Sequence, residues 1–230
     1  MPSGLAGKPR RVLLSGVFGP FGVDDAWGRK ENVMELFHNQ VTKAQGAASF
    51  RFHHRSFGLY FLAENVDADV TVLDFPSRER FIRELKKGWD LVGISFIAPN
   101  LVKAREMARL VRLHAPSARV VLGGHGAAVE GIEEIVECDD VVRGEGIRGL
   151  RALLGQDVSA PVVHPVLPSA ERESILGIPI PGRPSNLLVP GVGCVNACRF
   201  CSTSHFFGKA YRTVTAGGRA SPSFTTSKWW

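Results

Sequence analysis

The chain lacks any long apolar run: nowhere in its 230 residues do the roughly 18 consecutive apolar residues of a membrane span occur. The N-terminus, MPSGLAGKPRRVLLSG, has basic residues followed by an apolar stretch too short for a secretory signal. Together these absences make a cytoplasmic location the expectation. Cysteine is scarce, with four in all, and three of them fall within eight residues, which excludes the disulfide framework of a small secreted domain. Acidic residues are missing after Ser204, where Lys209, Arg212, Arg219 and Lys228 stand, and before Val12, where Lys8, Arg10 and Arg11 stand. With those seven cations set aside, the formal +6 of the whole chain becomes −1 over residues 12–204, so no basic face for nucleic acid is expected. No internal repeat is evident.

A 44% hydrophobic content is ample for a buried core, and the apolar residues are arranged to build one. From Val12 to about Leu154, short apolar runs alternate with amphipathic stretches, the pattern of stacked βα units on a mostly parallel sheet. Strands are expected at Val12–Val17, Val70–Phe75, Leu91–Phe96, Val120–Leu122 and Val141–Arg143. Helices are expected at Arg78–Lys87, Leu101–His114 and Val129–Glu137. In the middle helix Ala104, Met107, Ala108 and Val111 make one apolar stripe, with Asn100 and Pro116 marking its ends. The fold expected is α/β, a flavodoxin-like doubly wound parallel sheet.

More than fifty residues separate the first two strands, far more than a crossover needs. Glu31–Thr42 and Ser56–Asn65 have the composition of two helices there. They leave the glycine-rich loop Gly16-Val17-Phe18-Gly19-Pro20-Phe21-Gly22 at the carboxyl end of the first strand, the edge where doubly wound sheets bind ligands. Residues 1–156 thus form the expected α/β domain. Residues 157–185, with Pro161, Pro165, Pro168, Pro179, Pro181 and Pro184, read as a linker, and 186–211 as a second structured piece opening on the apolar run Asn186–Val189. Residues 212–230 have no period of either kind and read as an unstructured tail.

The most specific motif is Gly193-Cys194-Val195-Asn196-Ala197-Cys198-Arg199-Phe200-Cys201. Its C-x3-C-x2-C spacing turns three thiols toward one point from a single short loop, which is how a metal centre is held. Three ligands are offered where a closed structural zinc site uses four, whereas an iron–sulfur cubane held by three leaves one iron open. Zinc remains an alternative, with His205 as a fourth ligand, although zinc knuckles usually pair C-x2-C units and no second one exists here. Cys138, alone in Glu137-Cys138-Asp139-Asp140, reads as a small apolar residue near a strand start.

At this loop, with Phe200 before the last cysteine, the chain resembles the radical S-adenosylmethionine enzymes. The resemblance implies a [4Fe-4S] cluster on Cys194, Cys198 and Cys201, S-adenosylmethionine on the open iron beside Phe200, and a 5′-deoxyadenosyl radical that abstracts unactivated hydrogens. It implies as partners a small-molecule substrate and an electron donor such as flavodoxin or ferredoxin. The family core is a partial (βα) barrel, of which 186–211 would be the first strand and cluster loop. Because the barrel pattern stops near Tyr211, the chain reads as truncated or frameshifted there, and is expected to be inactive on its own.

The α/β region resembles the cobalamin-binding domain that precedes the radical core in one branch of that superfamily. Three segments carry the likeness: Gly93-Ile94-Ser95-Phe96-Ile97, Leu122-Gly123-Gly124-His125-Gly126 and Val142-Arg143-Gly144-Glu145-Gly146. The resemblance implies cofactor contacts at Ser95, Gly123, Gly124, Gly144 and Glu145, with Ser95 hydrogen-bonding a nucleotide tail and the two glycines letting a bulky ligand press on backbone. One departure is plain. Domains that ligate cobalt through histidine carry D-x-H-x-x-G after the first strand, and no histidine stands between Gly16 and Gly22. His53 and His54, flanked by Arg51 and Arg55, read as surface residues instead.

Gly144-Glu145-Gly146-Ile147-Arg148-Gly149 also fits G-x-G-x-x-G, but in the fifth unit instead of the first, and Glu171 falls in the linker, so NAD binding is disfavoured. The methylthiotransferase branch needs a second cluster on N-terminal cysteines that this sequence lacks. Two readings compete: an enzyme of the cobalamin-type radical class that methylates or modifies an unactivated carbon, and a cobalamin or other ligand module whose cysteine loop, with cluster or zinc, does no chemistry.

Overall fold

The computed structural model describes residues 10–18, 56–167 and 188–214, together with the backbone of two short strands, Ser174–Ile175 and Ile178–Pro179. Much of the first connection therefore lies outside the described residues. That includes the expected helix Glu31–Thr42, the glycines beyond Phe18, and His53 and His54.

Five parallel strands form the central sheet: β1 (Arg11–Gly16), β2 (Asp69–Leu73), β3 (Leu91–Ser95), β4 (Arg119–Gly123) and β5 (Asp140–Val141). Their order is β2-β1-β3-β4-β5, the flavodoxin-like arrangement expected from the sequence. The crossover elements are α1 (Phe57–Glu64), α2 (Arg78–Leu85), α3 (Leu101–His114), α4 (Ile132–Ile135) and α5 (Gly146–Leu154). Where one helix was expected over Val129–Glu137, the chain makes a 3-10 turn at His125–Ala128 and then the single turn of α4. Gly131, with φ of 66°, interrupts the run. Helix α5 begins on Glu145, whose carboxylate accepts the Arg148 amide at 3.1 Å, and ends on Gly155 in the left-handed conformation.

Strand alternation divides the core into two layers. Leu13, Val92, Ile94, Val120 and Leu122 face α2, α3 and α4, where Phe81, Leu85, Met107, Leu110 and Ile132 close the layer. Val12, Leu14, Val72, Leu91 and Val121 face the other way, onto Leu59 of α1 and Leu150 and Leu154 of α5. Both faces of the sheet are thereby covered, which is why its strands read as nearly continuous apolar runs. The α3 stripe inferred from spacing, Ala104, Met107, Ala108 and Val111, is fully buried.

The start of the proline-rich stretch packs back onto this domain. Leu167 is buried with Phe61 and Ile147, and Val162, Val189 and Val214 pack against the same cluster. Arg151 provides the polar anchor. Its guanidinium, 6% exposed, donates to the carbonyls of Asn65 at 2.7 Å, Ala160 at 2.5 Å and Pro161 at 3.1 Å. The Asn65 amide in turn exchanges hydrogen bonds with the backbone of Val163, at 2.7 Å in each direction. Beyond the domain lie two antiparallel pairs, β6 (Ser174–Ile175) with β7 (Ile178–Pro179), and β8 (Gly191–Gly193) with β9 (Tyr211–Thr213). The second pair frames the cysteine loop. A barrel would start there with a parallel strand, and among the described residues β8 has only its antiparallel partner.

Replacing Arg151 with Met keeps the stem but strips three carbonyls of their donor, the Asn65 carbonyl buried and those of Ala160 and Pro161 part-buried. The expected loss is about 2–4 kcal/mol of unfolding free energy, with earlier proteolysis between residues 157 and 167, read by urea denaturation and limited digestion of the full chain.

Candidate cofactor edge and cysteine loop

Strand register places Gly16, Ser95 and Gly123 side by side at the carboxyl ends of β1, β3 and β4. The chain reverses direction across the sheet between β1 and β3, so this row lies at the topological switch point, where open α/β sheets bind ligands. The row makes a short ledge that is closed at Gly16, where a Cβ would meet the Ser56 hydroxyl at 3.3 Å and the Phe75 ring at 3.4 Å, and that opens past the Ser95 hydroxyl toward Gly123. A Cβ on Gly123 would meet nothing within 4 Å among the described residues, so this edge is open to a bulky group. Next to it, Val17 and Phe18 turn down into the core, Phe18 meeting Phe81 edge-on at 6.0 Å.

Gly124 is required by the packing of two loops. With φ of 78°, it lies so close to the β3 loop that a Cβ would sit 2.7 Å from both the Phe96 carbonyl and the Ser95 hydroxyl. It is committed to joining the β3 and β4 loops. Gly126 lies against the Phe96 ring in the same way. In the β5 loop, Gly144 takes φ of 81°, Glu145 caps α5, and Gly146 and Gly149 pack on Leu62 and Val142. The G-x-G-x-x-G spacing there is accounted for by helix packing.

His125, not singled out by spacing or periodicity, is the polar side chain that the edge leaves unsatisfied. Its Nδ1 is buried without a hydrogen-bond partner among the described residues. Its ring stacks on Phe206 with centroids 4.1 Å apart and planes 23° from parallel, and Phe207 meets both rings edge-on. Burial pushes the imidazole below its ordinary value of 6.5, leaving it neutral at neutral pH. A lone Gly-Gly-His-Gly in the sequence carries no sign of this stacking, because the partner lies some eighty residues on.

Phe206 belongs to α6 (Ser202–Phe206), the short helix that directly follows the cysteine loop. A Cβ on Gly144 would come within 3.4 Å of the Phe206 carbonyl, so α6 touches the β5 loop as well as the β4 loop. A further tie is His164, whose Nε2 accepts the Val189 amide at 2.8 Å just before β8, while its ring meets Phe61 edge-on at 4.9 Å.

All four cysteines are free and half-buried, and their chemistry separates them. Hydrogen bonds from the Thr203 backbone and hydroxyl and from the Ser204 amide pull the Cys201 thiol below its ordinary range. Cys138 packs against the core, where burial and then the charge of Glu133 push its thiol up. Phe200 is 93% exposed and Val195 64%, so the loop's apolar side chains face outward. Among the described residues, no three His, Cys, Asp or Glu side chains stand together at metal-binding distance. His205 is exposed on α6 and takes no place in such a group. The open groove between α3 and α4 sets Val102 and Ile135 among the charges of Glu106, Arg109, Glu133 and Glu134, with Arg109 and Glu106 paired to each other.

Residues 46–154 match the family model of the B12 binding domain, just under half of the chain. No curated protein matches it. Fold and match agree on one kind of module, a cobalamin-binding type of α/β domain. The match leaves out β1, although β1 pairs with both β2 and β3. No helix among the described residues is long and apolar enough to cross a membrane.

The His125 environment fixes the sign of a pH effect. The unfolded chain binds a proton as pH falls through about 6.5 while the folded ring resists it, so this site withdraws stability on acidification from about pH 7 toward 5. His125→Phe keeps an aromatic ring for Phe206 and removes the titration. Denaturation midpoints measured across that range are expected to fall less steeply in the variant than in the wild type.

Proposed function

We propose that the chain is a cobalamin-type radical S-adenosylmethionine protein. Residues 46–154 would bind cobalamin at the carboxyl edge of the sheet, and Cys194, Cys198 and Cys201 would hold a [4Fe-4S] cluster. One observation carries the reading: the helix that leaves the cysteine loop rests on His125 and Gly144, two loops of the cofactor edge. A cluster loop with a cofactor domain elsewhere on the surface would have no need of that contact.

The residues present fit both groups. Gly123, beside the Ser95 hydroxyl, leaves the edge open to a large planar ring, and the buried Nδ1 of His125, two residues on, has no hydrogen-bond partner among the described residues. The loop after β1 supplies no histidine, so cobalt would lack a lower ligand from that position. For the cluster, the donor set is three free thiols on one closed loop, which would draw inward on binding. The cluster, when bound, supplies the electron that releases a 5′-deoxyadenosyl radical from S-adenosylmethionine, for methylation or modification of an unactivated carbon of a small molecule. The chain's own share is positional. Cys201 is the thiol best prepared to ligate, Phe200, exposed on the same loop, would be the ring to cover S-adenosylmethionine, and the outward apolar loop leaves room for a flavodoxin or ferredoxin to deliver electrons.

Anaerobic reconstitution of the full chain, with iron and acid-labile sulfide analysis, tests the cluster. Iron and sulfide are expected to disappear in Cys194→Ala, Cys198→Ala and Cys201→Ala and to persist in Cys138→Ala, whose thiol is a core atom. Stoichiometric zinc without sulfide would overturn the assignment. Titration with hydroxocobalamin tests the other half: saturable binding is expected, and none at high micromolar concentration would reduce the domain to a scaffold.

A further inference from the structure

The cysteine loop is closed from within by one residue outside the motif. Ser204, 1% exposed on α6, accepts the Ala197 amide on its hydroxyl oxygen at 3.1 Å and donates the hydroxyl proton to the Cys194 carbonyl at 2.9 Å. These two bonds span the x3 arc between Cys194 and Cys198, tying its first residue to its last non-ligand. The arc needs such a tie, because Ala197 takes φ of 51°, a left-handed conformation that a residue with a Cβ holds only when its surroundings impose it. The second arc is closed by backbone alone, the Cys201 amide donating to the Cys198 carbonyl at 3.1 Å.

Ser204 also holds the return of the loop. Its own carbonyl accepts the Lys209 amide at 2.6 Å, Lys209 being another non-glycine residue at positive φ, and the next residue, Ala210, lies against Gly193 at the entry of the loop. Entry, first arc and exit therefore all pass through one buried side chain and its peptide group. With Phe206 two residues along on the stack with His125, the same turn of helix fixes the loop internally and docks it on the domain.

We propose that Ser204 is a positioning residue that holds the Cys194–Cys198 arc in the conformation from which the two thiols bind the cluster. This rests on the reading of Cys194, Cys198 and Cys201 as cluster ligands. Removing the hydroxyl leaves a part-buried amide and a part-buried carbonyl unpaired around a left-handed alanine, and the arc is then free to leave this conformation. Thr at this position keeps the hydroxyl, while Ala removes it with little change of volume.

The test compares the wild-type full chain with Ser204→Ala and Ser204→Thr in two measurements. In the metal-free protein, hydrogen exchange at the Ala197 amide is expected to quicken about tenfold in Ser204→Ala and to be restored in Ser204→Thr, with exchange in β1 and β3 unchanged. In the reconstituted protein, iron release to a chelator is expected to speed by a similar factor in Ser204→Ala, again rescued by Thr. Unchanged Ala197 exchange, or a wild-type cluster that Ser204→Ala holds equally firmly, overturns the role of Ser204. A wild type that takes up no cluster, with Ala197 exchange still accelerated in Ser204→Ala, overturns the cluster reading and keeps Ser204 as the loop's lock.

Discussion

Parallel pairing of β1 with both β2 and β3 is the constraint on which the rest of the structure hangs. A strand inserted between two later strands forces the chain to wind outward in opposite directions on either side of it, and so opens a crevice at their carboxyl ends. Register then decides what lines that crevice. Residues opposite one another in the ladder, Gly16, Ser95 and Gly123, come from segments as much as 107 residues apart, and a slip of one position on a strand would bring a residue of the other layer into the row. The two apolar layers set that register, since Leu13, Ile94 and Leu122 must all face α2 and α3. The core thus specifies the ledge without touching a ligand.

The second dependence is between the ledge and the cysteine loop. A five-residue helix has almost no stability of its own, so α6 has to be held by what it packs on. Its supports are the His125 ring, the β5 turn at Gly144, and the hydrogen bonds converging on Ser204. An aromatic stack contributes about 0.5–1.5 kcal/mol beyond its buried area, small beside the stability of a domain but large for a single turn of helix. Loosening the β4 loop would consequently loosen the cysteine loop. Any ligand that engages His125 acts on the same contact.

Much of this was legible in the sequence because it depends on local pattern. The strands were readable as apolar runs, and α3 as a stripe of Ala104, Met107, Ala108 and Val111, since short-range periodicity is what burial on one face produces. The cysteine spacing was readable for the same reason. What escaped was whatever depends on a partner distant in the chain. His125 and Phe206 are unremarkable until stacked, Arg151 is an ordinary helix residue until Ala160 and Pro161 return to it, and nothing in the sequence shows that Gly124 packs on Phe96. In the proline-rich segment composition said only that the chain wraps or spaces instead of packing as helix; proline restricts conformation without preventing burial, and Leu167 is in the core.

The same division between local and distant causes explains why the cysteines differ despite sharing a side chain. Cys138 sits where chain and core converge beside β5, with Glu133 and Asp139 nearby, and a thiolate there would be both desolvated and repelled. Cys201 sits at the start of a helix, where the free amides of Thr203 and Ser204 point at its sulfur. Those amides are free only because α6 starts there, and α6 exists only because it rests on the β4 and β5 loops. The acidity of one thiol in the motif is therefore supported by contacts with the other module. A cysteine peptide cut from this chain would keep the C-x3-C-x2-C spacing and lose the helix that prepares Cys201, so the motif's spacing alone does not reproduce the chemistry of the loop in its fold.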